Sequence, residues 1–466
     1  MANLQAVLDE LAAKVEEDGA TKLPDHLEQF EKKFLEAARK DLASIFGLVL
    51  NSLGHLKPYG TPDGYREVTI CSTLGYITFN IAYYGPQISS ESRQVRRLKE
   101  RMKAKGRLSR LPKNGTYQRK GDAPCSYPLK EALQAQESLT PYLYDMIQRS
   151  GVIAGSFEEG SSLLSLFLGV TMPTSTFRRK VLAAGKRALK AQEAPPLRLL
   201  TPHLPAWLLA TTTATAPTMY IMLDGTCVPC VKKDTKGVKG KGADGQAGSR
   251  ELKVAIVGTY RRLNKHGRPV RDPGCESHIV SPKKAKEFGT LLRKLANSRG
   301  FGGKKFRVQI VGDGAEWISN IVQEAFPGQS VIFTNDFYHT CEYLHAFITL
   351  AADAPENVMS AYKLAKSILL RYGGSSLVKH LKKRYNQLDS KHAAWQKLQY
   401  VENRLEYMKY HEYRKQGLFI GSGPVEAACR TDVARRCKQA GMHWRLKNAA
   451  FICALTARFK SRLHAA

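Results

Sequence analysis

Long apolar runs are missing from this chain: no stretch approaches the ~20 consecutive apolar residues that a membrane-spanning helix requires, so no membrane partner is expected. Missing too are the basic start and continuous apolar stretch of a secretory signal. The opening MANLQAVLDELAAKVEEDGA reads instead as an acidic amphipathic helix, and the protein is expected to work inside the cell. Paired cysteines are scarce. Apart from the CxxC of Cys227 and Cys230, the nine cysteines are scattered, and no second CxxC, HxxxH or CxxH follows at finger-like spacing. That speaks against a zinc finger and a disulfide framework, and for free thiols in a reducing compartment. The CxxC reads as small apolar residues in a strand, with metal or redox work as the alternative. A Lys- and Gly-rich loop from Lys232 to Arg250 lacks the GKS or GKT ending of a phosphate loop and no helix pattern follows it, so no ATPase is implied.

Acidic residues are also few, 41 against 72 Lys and Arg, a formal charge of +31 in 466 residues. A charge that strong repels itself unless an anionic partner is present, and nucleic acid is the leading candidate. With 43% hydrophobic residues there is ample material for real cores, and the length suggests about three domains.

Helical spacing in Leu4–Val15 and Leu27–Leu53 predicts two helices, and two β-type runs around Leu74-Gly75 within Tyr65–Tyr84 predict a hairpin, together forming a region 1–90. Residues 91–127 hold the densely basic Arg93–Lys120, read as an arm that docks on phosphates or as a solvated linker. Residues 128–216 are predicted helical. Ser156 with Glu159 forms a capping box, and Thr174 or Ser175 opens a second helix carrying Arg178, Arg179 and Lys180. The pair reads as a helix-turn-helix on DNA or as an ordinary helical hairpin. A Pro- and Thr-rich linker, Ala194 to Pro217, closes this region.

From Met219 onward strands and helices alternate. Strands are predicted at Tyr220–Leu223, Leu252–Tyr260, Glu276–Val280, Phe306–Val311 and Ser330–Thr334, with helices between the last three. Three antiparallel-type strands, a helix, a strand, a helix and a strand form the order of a ribonuclease H-like α/β core, a mixed sheet with flanking helices, here over 217–336. Residues 337–415 read as an α-helical insertion, and 416–466 as C-terminal helices returning to the core.

Three strings carry the chemistry. MYIMLDGT and FRVQIVGDG each end an apolar run on Asp followed by Gly, which predicts Asp224 and Asp313 at a sheet edge; GSGPVEAA opens a helix with Glu426, with Ser422 as its cap and Pro424 in its first turn. Two Asp and one Glu suit hard divalent cations such as Mg2+, and two such ions roughly 4 Å apart serve phosphodiester chemistry. Each carboxylate also has an ordinary reading, as a turn former or a helix-terminus acid. Asp336 and His339 form a DxxH at the last strand's end, either a competing ligand or a structural clamp supporting the active site. After Glu426 come Arg430, Arg435, Arg436, Lys438 and Trp444, which would hold phosphates and stack on a base, Trp444 being equally readable as a packing anchor.

Asp224-Gly225-Thr226, Arg250–Lys253, Gly312–Ile318, Asp336–His339, and Gly421–Cys429 through Gly441–Trp444 resemble, in order, bacterial insertion-sequence transposases of the ISKra group, relatives of the Mutator-like DDE transposases. The resemblance covers roughly residues 219–455. It implies a ribonuclease H-like catalytic core with Asp224, Asp313 and Glu426 as the metal-holding triad, two Mg2+ or Mn2+ ions, and a helical insertion before Glu426. It also implies element-end inverted repeats and target DNA as partners, a homo-oligomer of two or more chains on DNA, and a cytoplasmic, nucleoid-associated setting. Many members carry a cysteine-bearing zinc-ribbon-like segment ahead of the core. None is found between Tyr84 and Leu129, where the basic arm stands. The alternatives are a structure-selective nuclease or resolvase of the same fold and a DNA-binding relative without catalysis.

Overall fold

The computed structural model describes residues 2–18, 23–54, 64–84, 129, 132–133, 138–193, 218–240, 245–260, 262–270, 276–299, 307–326, 331–352 and 355–462. The basic arm Arg93–Lys120 and the linker Ala194 to Pro217 lie outside them. The chain divides into two compact units, residues 1–178 and 179–466. No helix among the described residues is long and apolar enough to cross a membrane.

In the first unit, α1 (Ala2–Asp18) packs on α2 (Leu23–Gly54), where the Asn3 amide and the Leu4 N–H both donate to the buried Asp41 carboxylate. Strands β1 (Gly64–Ser72) and β2 (Gly75–Tyr83) form the expected antiparallel hairpin. Its inward residues Ile70, Ile77, Phe79 and Ile81 close on Ala43 and Leu50 of α2. Next come α3 (Pro141–Ile153) and α4 (Phe157–Leu168). Ser156 caps α4 through the Glu159 N–H at 2.9 Å, while the Glu159 carboxylate takes the N–H of Gly155, one residue before the cap. Helix α5 (Thr174–Ala191) begins after a five-residue turn and lays Phe177 edgewise on Phe157.

The second unit is built on a mixed five-stranded sheet of β3 (Thr218–Pro229), β4 (Ser249–Tyr260), β5 (Glu276–Ser281), β6 (Arg307–Gly312) and β7 (Val331–Asn335), in the order β5-β4-β3-β6-β7. β3, β4 and β5 are antiparallel neighbours; β6 and β7 run parallel to β3. The central strand is buried on both faces over its first six residues, which is why it reads as an uninterrupted apolar run. One face carries α6 (Ala285–Ser298) and α7 (Glu316–Ala325). Phe288, Leu291, Leu292 and Leu295 recur at helical spacing on α6 and pack on Met219, Ile221, Leu223, Ile310 and Phe333. Each such side chain contributes about 1.5–3 kcal/mol on full burial.

After β7 the chain is helical: α8 (Phe337–Ala351), α9 (Pro355–Arg384), α10 (Ala393–Glu402) and α11 (Tyr410–Lys415). Helix α9 breaks at Gly373, whose φ of 82° only glycine adopts cheaply. The chain then returns to the sheet through α12 (Gly423–Ala428), one wider turn of π type over Cys429–Ala434, a last helical turn Arg435–Cys437, and α13 (Leu446–Arg462), which packs on β5.

One boundary differs from the sequence reading. β3 was expected to stop at Asp224 and turn at Gly225, but it continues to Pro229. The reason is that β4 keeps pairing with it, Asp224 opposite Val254 and Pro229 opposite Ser249. Only its other neighbour ends early, at Met222 opposite Val311.

Candidate active site

Alternation along each strand decides what meets on the sheet's second face. Met219, Ile221 and Leu223 point to the core beneath α6 and α7, so Asp224 points the other way. β3 and β6 are parallel with Met222 opposite Val311, and continuing that register by two residues sets Asp224 opposite Asp313. Gly312 lies opposite Asn335 on β7, and continuing by one residue sets Asp313 opposite Asp336. Three aspartates thus occupy matching positions at the C-terminal side of three adjacent parallel strands.

Asp224 is half-buried. Its Oδ1 accepts its neighbour Gly225 N–H at 2.7 Å and its Oδ2 accepts the Cys429 thiol at 3.2 Å. Burial raises its pKa above the ordinary carboxylate value, these two bonds oppose the shift, and the negative charge of Asp313 adds to it. Burial and the Asp224 charge push the Cys429 thiol up in turn, so it stays a protonated donor.

Asp313 sits on a turn rather than a strand, with Oδ1 accepting the Ala315 N–H at 2.9 Å. The turn is held from the helical segment that follows β7. Tyr400 gives its hydroxyl proton to the Asp313 carbonyl, and Arg404 donates to the Gly314 carbonyl through Nε at 3.1 Å and Nη2 at 2.7 Å. Tyr400 is itself stacked flat on Tyr343, centroids 3.8 Å apart, with the Arg404 guanidinium 4.1 Å from its ring centroid. Burial pushes the Tyr400 pKa up to about 12, which keeps the phenol a donor. Gly314 has φ 75°, and a Cβ there would lie 2.3 Å from Asn335 Oδ1, so no other residue fits the turn.

Asp336 is wholly buried, and both its oxygens are used. Oδ1 accepts the backbone N–H of His339 at the start of α8, and Oδ2 accepts the backbone N–H of Ser422. The His339 ring is partly exposed, 3.3 Å from Glu342.

Glu426 is exposed on α12. Ser422, expected to cap this helix, makes no side-chain cap; its hydroxyl donates to Glu426 Oε1 at 2.9 Å instead. The approach to α12 is tied down by Gln309 on β6, which exchanges hydrogen bonds with both backbone groups of Phe419 at 2.7 and 3.0 Å, and by the Phe337 N–H on the Ile420 carbonyl. Three residues after Glu426, Cys429 touches Asp224. The segment that follows Glu426 thus docks on β3 beside Asp224 through Cys429.

Of the residues expected on DNA, Arg178, Arg179, Arg430, Arg435 and Lys438 are exposed, and Lys438 Nζ reaches Thr226 Oγ1 at 2.5 Å, two residues beyond Asp224. Three are buried: Lys180, Arg436 and Trp444. Trp444 is zipped to the end of β3, its N–H on the Pro229 carbonyl and its carbonyl on the Val231 N–H, with the Arg436 guanidinium over its ring at 5.4 Å. In this structure Trp444 is a packing anchor at the end of β3.

Sequence reasoning missed Cys429, Gln309, Tyr400 and Arg404. A polar Gln inside an apolar strand was the one available signal; the others act from far along the chain. Among the described residues, no group of three or more His, Cys, Asp and Glu side chains is drawn together closely enough to hold a metal ion. No protein-family model matches the chain, and no curated protein matches it.

Proposed function

We propose that the chain is a DNA transposase of an insertion sequence, with a ribonuclease H-like core in which Asp224, Asp313 and Glu426 hold two divalent cations. The observation that carries this reading is the juxtaposition of Asp224 and Asp313 on one sheet face, with the helix bearing Glu426 docked on Asp224 through Cys429. The raised pKa of Asp224 fits a cation site, because burial and a second carboxylate disfavour its charge and a bound cation relieves both. The donors are oxygens, as Mg2+ or Mn2+ requires. Such ions, when bound, would activate the attacking oxygen and stabilise the departing one.

The protein's own groups set the geometry. Pairing with β4 fixes Asp224 on β3, Tyr400 and Arg404 hold the Asp313 turn, and Ser422 accompanies the Glu426 carboxylate with a hydrogen bond. Arg430, Arg435 and Lys438 offer cations to the backbone of the scissile strand. Water attacks the phosphodiester at each element end and the P–O3′ bond breaks, leaving a 3′-hydroxyl on the element and a 5′-phosphate on the flank; that 3′-hydroxyl then attacks a target phosphodiester in the same site and displaces the target strand's own 3′-oxygen. Two ends must be held together, which calls for a dimer or larger assembly.

The test uses duplexes carrying the inverted repeats that flank the coding region, with Mg2+ or Mn2+. End cleavage and strand-transfer products are expected from the wild type, and neither from Asp224→Ala, which keeps repeat binding. Cleavage of four-way junctions without strand transfer would assign the chain to the structure-selective nucleases instead.

A further inference from the structure

A second buried cluster of titratable groups lies beside the candidate site, and nothing in the proposed chemistry uses it. Asp432 stands within the π turn Cys429–Ala434 and has no exposed surface. Its Oδ2 lies 2.7 Å from His278 Nδ1, and its Oδ1 accepts the Thr431 hydroxyl at 2.8 Å. His278 belongs to β5; its backbone N–H donates to Ser461 Oγ of α13, and its Nε2 is 3.8 Å from Glu276 Oε2. Glu276 in turn accepts the hydroxyl of Tyr260 on β4. Burial works against the imidazolium, but the carboxylates of Asp432 and Glu276 outweigh it and hold the His278 pKa above its ordinary value.

A π turn inserts one residue into a helix, and each residue turns an α-helix by about 100°. Downstream, the helix is anchored by the fully buried Cys437 against Cys453 and by Arg436 under Trp444. Were the π turn to relax to α, everything before it would rotate by about 100°. Cys429 would leave Asp224, and Glu426 would turn with it. Wide turns of this kind are rare and occur where the surroundings over-determine them. A buried ion pair adds little net stability over an apolar pair of the same volume, yet it specifies one arrangement.

We propose that His278 and Asp432 are positioning residues of the candidate active site: their buried pair fixes the π turn, and with it the rotation that brings Cys429 to Asp224 and sets the direction of the helix bearing Glu426. The proposal rests on the reading of Asp224, Asp313 and Glu426 as a cation-holding triad for its functional consequence, but the rotation itself is measurable without it.

Cys429 is the reporter. In the folded full-length protein, iodoacetamide labelling read by mass spectrometry is expected to spare Cys429 in the wild type and to modify it faster in His278→Ala, with the exposed Cys227 as internal control. His278→Asn keeps a donor near the Nδ1 position and is expected to restore protection. Mn2+ binding, measured by electron paramagnetic resonance, should weaken roughly tenfold to a hundredfold in His278→Ala and recover in His278→Asn. Should His278→Ala not fold, the isosteric Asp432→Asn decides the same question. Cys429 protection equal to wild type in a folded variant would overturn the proposal. Absent Mn2+ binding in the wild type, with Cys429 released by His278→Ala, would leave the positioning role standing and remove the triad reading.

Discussion

The backbone N–H of Ser422 donates to Asp336 Oδ2, and this one bond joins the end of β7 to the entry of the helix that carries Glu426. Because the other oxygen of Asp336 caps α8 through the His339 N–H, the carboxylate is fully engaged by backbone. Asp336→Asn is expected to lower thermal stability, by about 1–3 kcal/mol for a buried acceptor lost. Mn2+ stoichiometry in the folded variant should be unchanged. Loss of Mn2+ binding at unchanged melting temperature would mark Asp336 as a ligand in place of a clamp.

Asp224 yields a prediction with a definite sign. Its native pKa is raised above the unfolded value of about 3.9, so between the two the folded state binds more protons, and stability falls as pH rises through that window. Its favourable contribution is complete below the unfolded pKa and gone above the native one. In EDTA, Asp224→Asn should therefore melt higher than wild type at pH 7 and lose that advantage toward pH 4. Added Mg2+ or Mn2+ should stabilise the wild type and not the variant.

The grip on the Asp313 turn can be loosened in steps. Tyr400→Phe removes the hydroxyl's bond to the Asp313 carbonyl and the one it accepts from the Asn335 amide at 3.2 Å, each worth about 1 kcal/mol, and is expected to lower kcat for end cleavage while leaving KM for DNA near wild type. Gly314→Ala adds a Cβ at positive φ against Asn335 and Arg404 and should cost upward of about 1–3 kcal/mol in a melting experiment.

Exposure separates the basic residues that follow Glu426. Arg435→Ala and Lys438→Ala are each expected to weaken DNA binding and to reduce the slope of log affinity against log salt by about one. Arg436→Ala, whose guanidinium lies over Trp444 in the interior, should lower the melting temperature instead.

Much of the second unit could be read from local pattern, because β-type runs ending on Asp and helices opening after them are short-range signals. Asp313 and Asp336 illustrate this: both follow their strands directly. Asp224 does not, since its Gly225 looks like a turn, and only the pairing partner β4, more than twenty residues on, keeps the strand going. The same limit hid Gln309, whose partner Phe419 is 110 residues away, and Cys429, 205 residues from Asp224. Trp444 was legible as an aromatic of consequence, but burial against β3 turns it inward. The π turn left no mark at all, since its composition is that of an ordinary helix.

The three carboxylates are held by unequal means. Asp224 is part of a strand that pairs with β4 over its whole length, so its amide should exchange with deuterium only on global unfolding. Asp313 hangs on a turn gripped by Tyr400 and Arg404, which belong to the helices after β7. A displacement of those helices would therefore be felt first at Asp313, through two side chains, while Asp224 stays tied to its own sheet.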